Sequence, residues 1–168
     1  MRLEGSCLCG AVKFSCISRT PYAVNRCYCS ICRKAAGGGG YTINIMGEYD
    51  TLEIEGEENL RLYRHDNNDR DSYAEDGRNA GGRSFCTQCG TVMWNYNPRH
   101  GQWFYPIAGV IDTPLPVPPE QKHFMLAHKP DWVLIPDEDE ANPRFDHYPD
   151  EGIEDWHKSR GLYDESGD

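Results

Sequence analysis

The chain has 168 residues, 38% of them apolar and 26% charged, which is enough for one domain with its own core. Seventeen Lys and Arg against 27 Asp and Glu leave a net charge of −10, which repels phosphate backbones and anionic membranes, so neither nucleic acid nor membrane is expected as a partner. No stretch approaches the roughly 20 apolar residues that span a bilayer, and Met1 to Cys7 lacks the apolar core of a secretory leader, so a cytoplasmic, reducing compartment is expected.

Period-two alternation rich in β-branched and aromatic residues predicts strands over 10–17, 41–46, 51–55, 60–64, 91–96 and 102–111. Gly, Pro, Asn and Asp clusters separate them, so the protein is expected to be mainly β, with short helices. Cys16, inside the first run, reads as a small buried hydrophobe. Ser30 to Gly37 predicts a short helix with Ser30 near its N-cap and Gly37 at its stop, its positive end beside neighbouring thiols. The four glycines at 37–40 fit either a turn that needs positive φ or close backbone approach by a ligand. Residues 66–82 read as a polar loop, and Trp94, Trp103, Phe104 and Tyr105 as core. Four prolines make 112–120 an extended connector. Acidic runs at 137–140, 150–151 and 164–165 read as solvated surface. A second helix is expected from Asp150, as cap, to Arg160, with Ile153 and Trp156 packed on the body and Gly161 beyond it.

Eight cysteines dominate the chemistry, and seven are bunched: Cys7-Leu8-Cys9, Cys27-Tyr28-Cys29-Ser30-Ile31-Cys32 and Cys86-Thr87-Gln88-Cys89. A disulfide framework spreads its thiols between loops, whereas bunched thiols on turns converge on one metal. Thiolates suit zinc or iron–sulfur, and knuckles that give tetrahedral geometry without a redox role favour zinc. A structural zinc takes four protein ligands and a catalytic one keeps three, so seven cysteines divide naturally as four plus three. Cys7, Cys9, Cys86 and Cys89 would close one site; Cys27, Cys29 and Cys32 would leave another open. The competing partition mixes a pair with part of the triplet and recruits one of six histidines.

The segments Gly5-Ser6-Cys7-Leu8-Cys9-Gly10-Ala11-Val12, Cys27-Tyr28-Cys29-Ser30-Ile31-Cys32-Arg33-Lys34 and Phe85-Cys86-Thr87-Gln88-Cys89-Gly90-Thr91, with Lys129-Pro130-Asp131-Trp132, resemble the glutathione-dependent formaldehyde-activating enzyme family over about residues 3–135. The resemblance implies a β-tent fold and two zinc ions per chain. Cys7, Cys9, Cys86 and Cys89 would hold the structural zinc, and Cys27, Cys29 and Cys32 the catalytic one. It implies a carbon–sulfur lyase that joins glutathione and formaldehyde reversibly into S-hydroxymethylglutathione. Residues 1–135 would be the zinc-binding domain and 136–168 an acidic extension with a short helix, packed on it. An anionic thiol substrate needs cations at the pocket, and Arg26, Arg33 and Lys34 flank the triplet, with Gly38 and Gly39 as backbone contacts. Two other readings stay open: a zinc enzyme for another small thiol or carbonyl metabolite, and a non-catalytic zinc-stabilised binding protein.

Overall fold

The computed structural model describes residues 1–36, 38–64 and 82–167. Eleven short strands and two short helices form three small sheets among these residues. The first sheet joins β1 (Arg2–Ser6), β2 (Lys13–Ile17) and β6 (Glu53–Glu55). The second runs β5-β10-β9-β8-β7, from Gly47–Glu48 through Trp103–Pro106, Val92–Tyr96 and Gly82–Cys86 to Leu60–Arg64. The third orders β11-β3-β4, with β11 (Lys122–Phe124) parallel to β3 (Asn25–Cys27) and β4 (Thr42–Ile43) antiparallel on its other side. Among the described residues, no helix is long and apolar enough to cross a membrane.

The first two sheets share the main core. In β2 the alternation Lys13-Phe14-Ser15-Cys16 turns Phe14 and Cys16 inward, as a half-buried strand must. The Trp94 ring meets Phe14 and Phe104 edge to face, at 5.5 and 5.9 Å between centroids, the arrangement ring quadrupoles prefer. Cys7 and Cys86 belong to this core, whereas Cys27, Cys29 and Cys32 pack with Phe124 and Met125 in a smaller one. The two cysteine clusters therefore have separate surroundings.

Several expected elements are shorter than their patterns. The run 102–111 is a strand only over Trp103–Pro106 and then a 3-10 turn over Ala108–Val110. Gly82, expected in a loop, opens β8, and the rest of that loop, 66–81, lies outside the described residues. The C-terminal helix α2 spans Ile153–Ser159, with Gly152 at its N-cap and no side-chain cap. Asp150 does not cap it. Glu151, expected to be solvated, takes up the Lys122 ammonium at 2.8 Å and also receives Arg160 and Ser159. Asp164 pairs with the Met1 amino group, so it too leaves the solvated run. Residues 141–147 run beside β11 through backbone bonds such as His123 N to Pro143 O, 2.9 Å, and Phe145 N to His123 O, 2.8 Å. Trp156 is fully buried, as its place on the helix face predicts.

Candidate metal centres

The first cluster is built from two turns of the same design. Cys7-Leu8-Cys9 links β1 to β2 and closes with Gly10 N to Cys7 O at 2.9 Å; Cys86 to Cys89 follows β8 and closes with Gly90 N to Cys86 O at 2.8 Å. Both glycines have φ of +75°, a conformation other residues adopt at a cost, so each knuckle ends where its sequence places Gly. The four sulfurs lie within 4.8 Å of one another, with Cys7 Sγ to Cys9 Sγ 3.6 Å and Cys9 Sγ to Cys86 Sγ 3.9 Å. A tetrahedral zinc with about 2.3 Å bonds needs sulfur pairs about 3.8 Å apart, and this cluster fits it. All eight cysteines are free thiols, so the disulfide alternative is not formed.

Donors around this cluster favour thiolate. The Thr91 hydroxyl lies 3.1 Å from Cys89 Sγ and, with the Thr91 N–H, draws the Cys89 thiol down to about 6. The Val12 N–H donates to Cys7 Sγ at 3.3 Å. Cys9 receives the Ala11 N–H, yet crowding by Cys7 and the other sulfurs pushes it up to about 11. Thiols that share protons this closely must release them to a metal, which ties metal uptake to proton release.

The second cluster joins the end of β3 to the helix α1 (Ser30–Ala36). Cys27, Cys29 and Cys32 are all buried, with their sulfurs within 4.8 Å of one another. Cys29 Sγ accepts the Cys32 N–H at 3.3 Å, while the Cys29 carbonyl accepts the Arg33 N–H at 3.1 Å. The sulfur of Cys29, rather than the hydroxyl of Ser30, caps the helix. Hydrogen bonding from Cys27 and then Cys32 draws the Cys29 thiol down to about 2, whereas contact with Cys29 and Cys32, together with burial, pushes Cys27 up. Thr42 Oγ1 donates to Cys32 O at 2.7 Å and fixes α1 against β4. Among the described residues no fourth Cys, His or acidic group joins these three.

Arg83 is a site residue that the sequence reading missed. It lies on β8, 9% exposed, with Nη2 3.4 Å from Cys32 Sγ. It also lines a cavity of about 480 Å³ against α1, whose walls include Ser30, Ile31, Lys34, Tyr63 and Phe85. The strand's alternation places it: Arg83 and Phe85 share one face of β8, opposite the core-facing Cys86. Of the expected substrate residues, Lys34 is on the cavity wall. Arg26 instead stacks 5.0 Å from the centre of the Tyr41 ring, and Arg33 is half-buried beside Cys32 in α1. Gly38 and Gly39 are exposed and off that wall. Tyr28, between two ligand positions, is buried with its hydroxyl 2.8 Å from His123 Nδ1.

The chain is similar to known proteins in sequence and in fold. The family model for glutathione-dependent formaldehyde-activating enzymes matches residues 2–127. A protein of Halomonas elongata, named "Putative glutathione-dependent formaldehyde-activating enzyme", is 48% identical over 162 residues, which cover 96% of this chain and 98% of that protein. The crystal structure of a Rhodobacter sphaeroides protein shares the fold, with a TM-score of 0.51 and 23% identity over 67% of this chain and 91% of its own.

Proposed function

Since the chain belongs to the glutathione-dependent formaldehyde-activating enzyme family, we propose that it catalyses reversible addition of the glutathione thiol to formaldehyde, the carbon–sulfur lyase type of reaction, at the Cys27, Cys29 and Cys32 triplet. The observation that supports this most is the three-thiolate cluster, one ligand short of a closed tetrahedron, next to a cavity with cations on its wall. In this reading the two clusters hold two zinc ions per chain. The four thiolates of Cys7, Cys9, Cys86 and Cys89 make the structural one.

A zinc held by the triplet would supply an open position that keeps a substrate sulfur as thiolate or polarises a carbonyl. In the addition, the sulfur lone pair forms the C–S bond, the C=O π pair moves to oxygen, and that oxygen takes a proton equivalent to the one the thiol lost. No atom leaves and no oxidant is needed. The chain contributes orientation. Lys34 faces the cavity and suits a glutathione carboxylate, while Phe85, Val92 and Ile31 give the wall apolar surface that limits water. The net charge of −10 makes such local cations necessary for an anionic substrate.

Exchange of carbon-13 between hydrated formaldehyde and its glutathione adduct, followed by NMR, tests the reading. Wild-type protein should speed the exchange, and Cys29→Ser should lose at least about 100-fold of that gain, the order of a lost Lewis-acid contribution. The variant should keep its melting transition and one of two zincs. Full acceleration by folded Cys29→Ser would overturn the proposal.

A further inference from the structure

Resting on that reading of the triplet, we propose that Arg83 is a positioning residue for the open metal site: its guanidinium compensates the charge of three thiolates through the hydrogen bond to Cys32 Sγ. Three thiolates around a divalent ion carry a net −1, and this centre is buried, with Cys27, Cys29 and Cys32 each under 9% exposed. A buried charge without a counter-charge is strongly unfavourable. Arg83 lies 9% exposed itself and places its guanidinium Nη2 3.4 Å from the sulfur. Among the described residues, the other side-chain donor to that sulfur, Asn44 Nδ2, is neutral and 4.0 Å away.

The strand that carries Arg83 is also the strand that carries Cys86. Tyr63 faces Arg83 and Leu60 faces Cys86 in the β7 pairing, so β8 sends Arg83 to the α1 side and Cys86 to the core. The closed cluster thereby fixes the strand that delivers the cation to the open one. The hydrogen bond draws electron density from Cys32 and so lowers the nucleophilicity of that ligand.

The test is metal binding by the full chain carrying Arg83→Met, with Arg83→Gln as a second neutral variant and Arg83→Lys as the charge-keeping one. Zinc retention is read by competition with a chromophoric chelator, and the sulfur-to-metal charge-transfer band is read after cobalt(II) replaces zinc. The neutral variants should weaken the second zinc by about 10–100-fold while the first stays bound, the scale seen when a hydrogen-bond partner of a metal ligand is lost. Their cobalt band should move to longer wavelength, because the sulfur becomes more electron-rich. Arg83→Lys should recover most of the affinity. Two zincs in wild type with unchanged affinity and band in a folded neutral variant would overturn this inference alone. A wild-type chain that takes up a single zinc would overturn the reading of the triplet, and this inference with it.

Discussion

The two cysteine clusters use the same ligand atom for different ends, and the contrast lies in what surrounds them. The first joins the β1–β2 turn to the β8–β9 turn, with Cys7 and Cys86 part of the main core and each knuckle closed by a backbone turn. The second is assembled within six residues, from 27 to 32, and is covered by a small core of Phe124, on the strand paired with β3, and Met125 just beyond it. A metal in the first would tie residue 7 to residue 89 and so stabilise the fold itself. A metal in the second would close almost no loop, which would leave its binding energy for ligands. Four sulfurs against three repeats the same division in coordination.

The strongest way to break the contrast is Cys86→Ser. It leaves three ligands in a site whose metal fixes long-range contacts, and structural zinc contributes on the order of 10–16 kcal/mol to such folds, more than a domain's net stability. We expect loss of the cooperative thermal transition in circular dichroism and of zinc from both clusters, since β8 also carries Arg83. A folded Cys86→Ser with one zinc would make the two clusters equivalent.

How much of this was legible in the sequence follows from the same physics. The grouping of seven cysteines into four and three was, because side chains on tight turns that converge must be close in sequence. The helix at Ser30–Ala36 and the inward Phe14 and Cys16 were as well, since a single local period decides them. The strand β11 was not: Lys122-His123-Phe124 is buried throughout, and its lysine is tolerated only because Glu151, 29 residues away, meets it. Arg83 was missed for the same reason. Its partner sulfur lies 51 residues off, and Gly82-Arg83-Ser84 shows no apolar alternation.

A smaller effect sharpens the contrast on the triplet's side, at the loop that leaves α1. Gly40 has φ of +86°, and a Cβ there would stand 2.3 Å from Val133 Cγ2, whereas one on Gly38 would meet nothing within 4 Å. The run of glycines thus has unequal members: position 40 needs glycine for backbone and packing. Gly40→Ala should cost about 2–3 kcal/mol from left-handed strain plus overpacking, read as a urea midpoint shift, with Gly38→Ala within about 0.5 kcal/mol of wild type. Equal effects at both positions would show that the Val133 contact does not hold this loop.

The smallest expected effect concerns how the triplet's sheet is braced. Lys122, on the strand beside β3, is 4% exposed and paired with Glu151, whose carboxyl loses solvation but is drawn down to about 2 by Lys122, Ser159 and Arg160. A carboxyl depressed in the folded state adds stability above its ordinary range, near 4.5, and loses that contribution as pH falls through about 2. Glu151 is one-third exposed, so solvent screening reduces the worth of Glu151→Gln to about 1 kcal/mol. The gap in urea midpoint between the variant and wild type should be constant from pH 8 down to about pH 5 and narrow below it, because the unfolded carboxyl then takes up a proton that the native one does not. A gap that stays constant down to about pH 3 would show that the carboxyl is not held down. The loosening should also be local. Amide exchange should quicken at Tyr28 and Lys122, whose N–H groups bond Phe124 O and Val24 O, and not along β8 and β9. Faster exchange in both places would mean that the C-terminal segment braces the whole molecule and not the sheet that carries the open cluster.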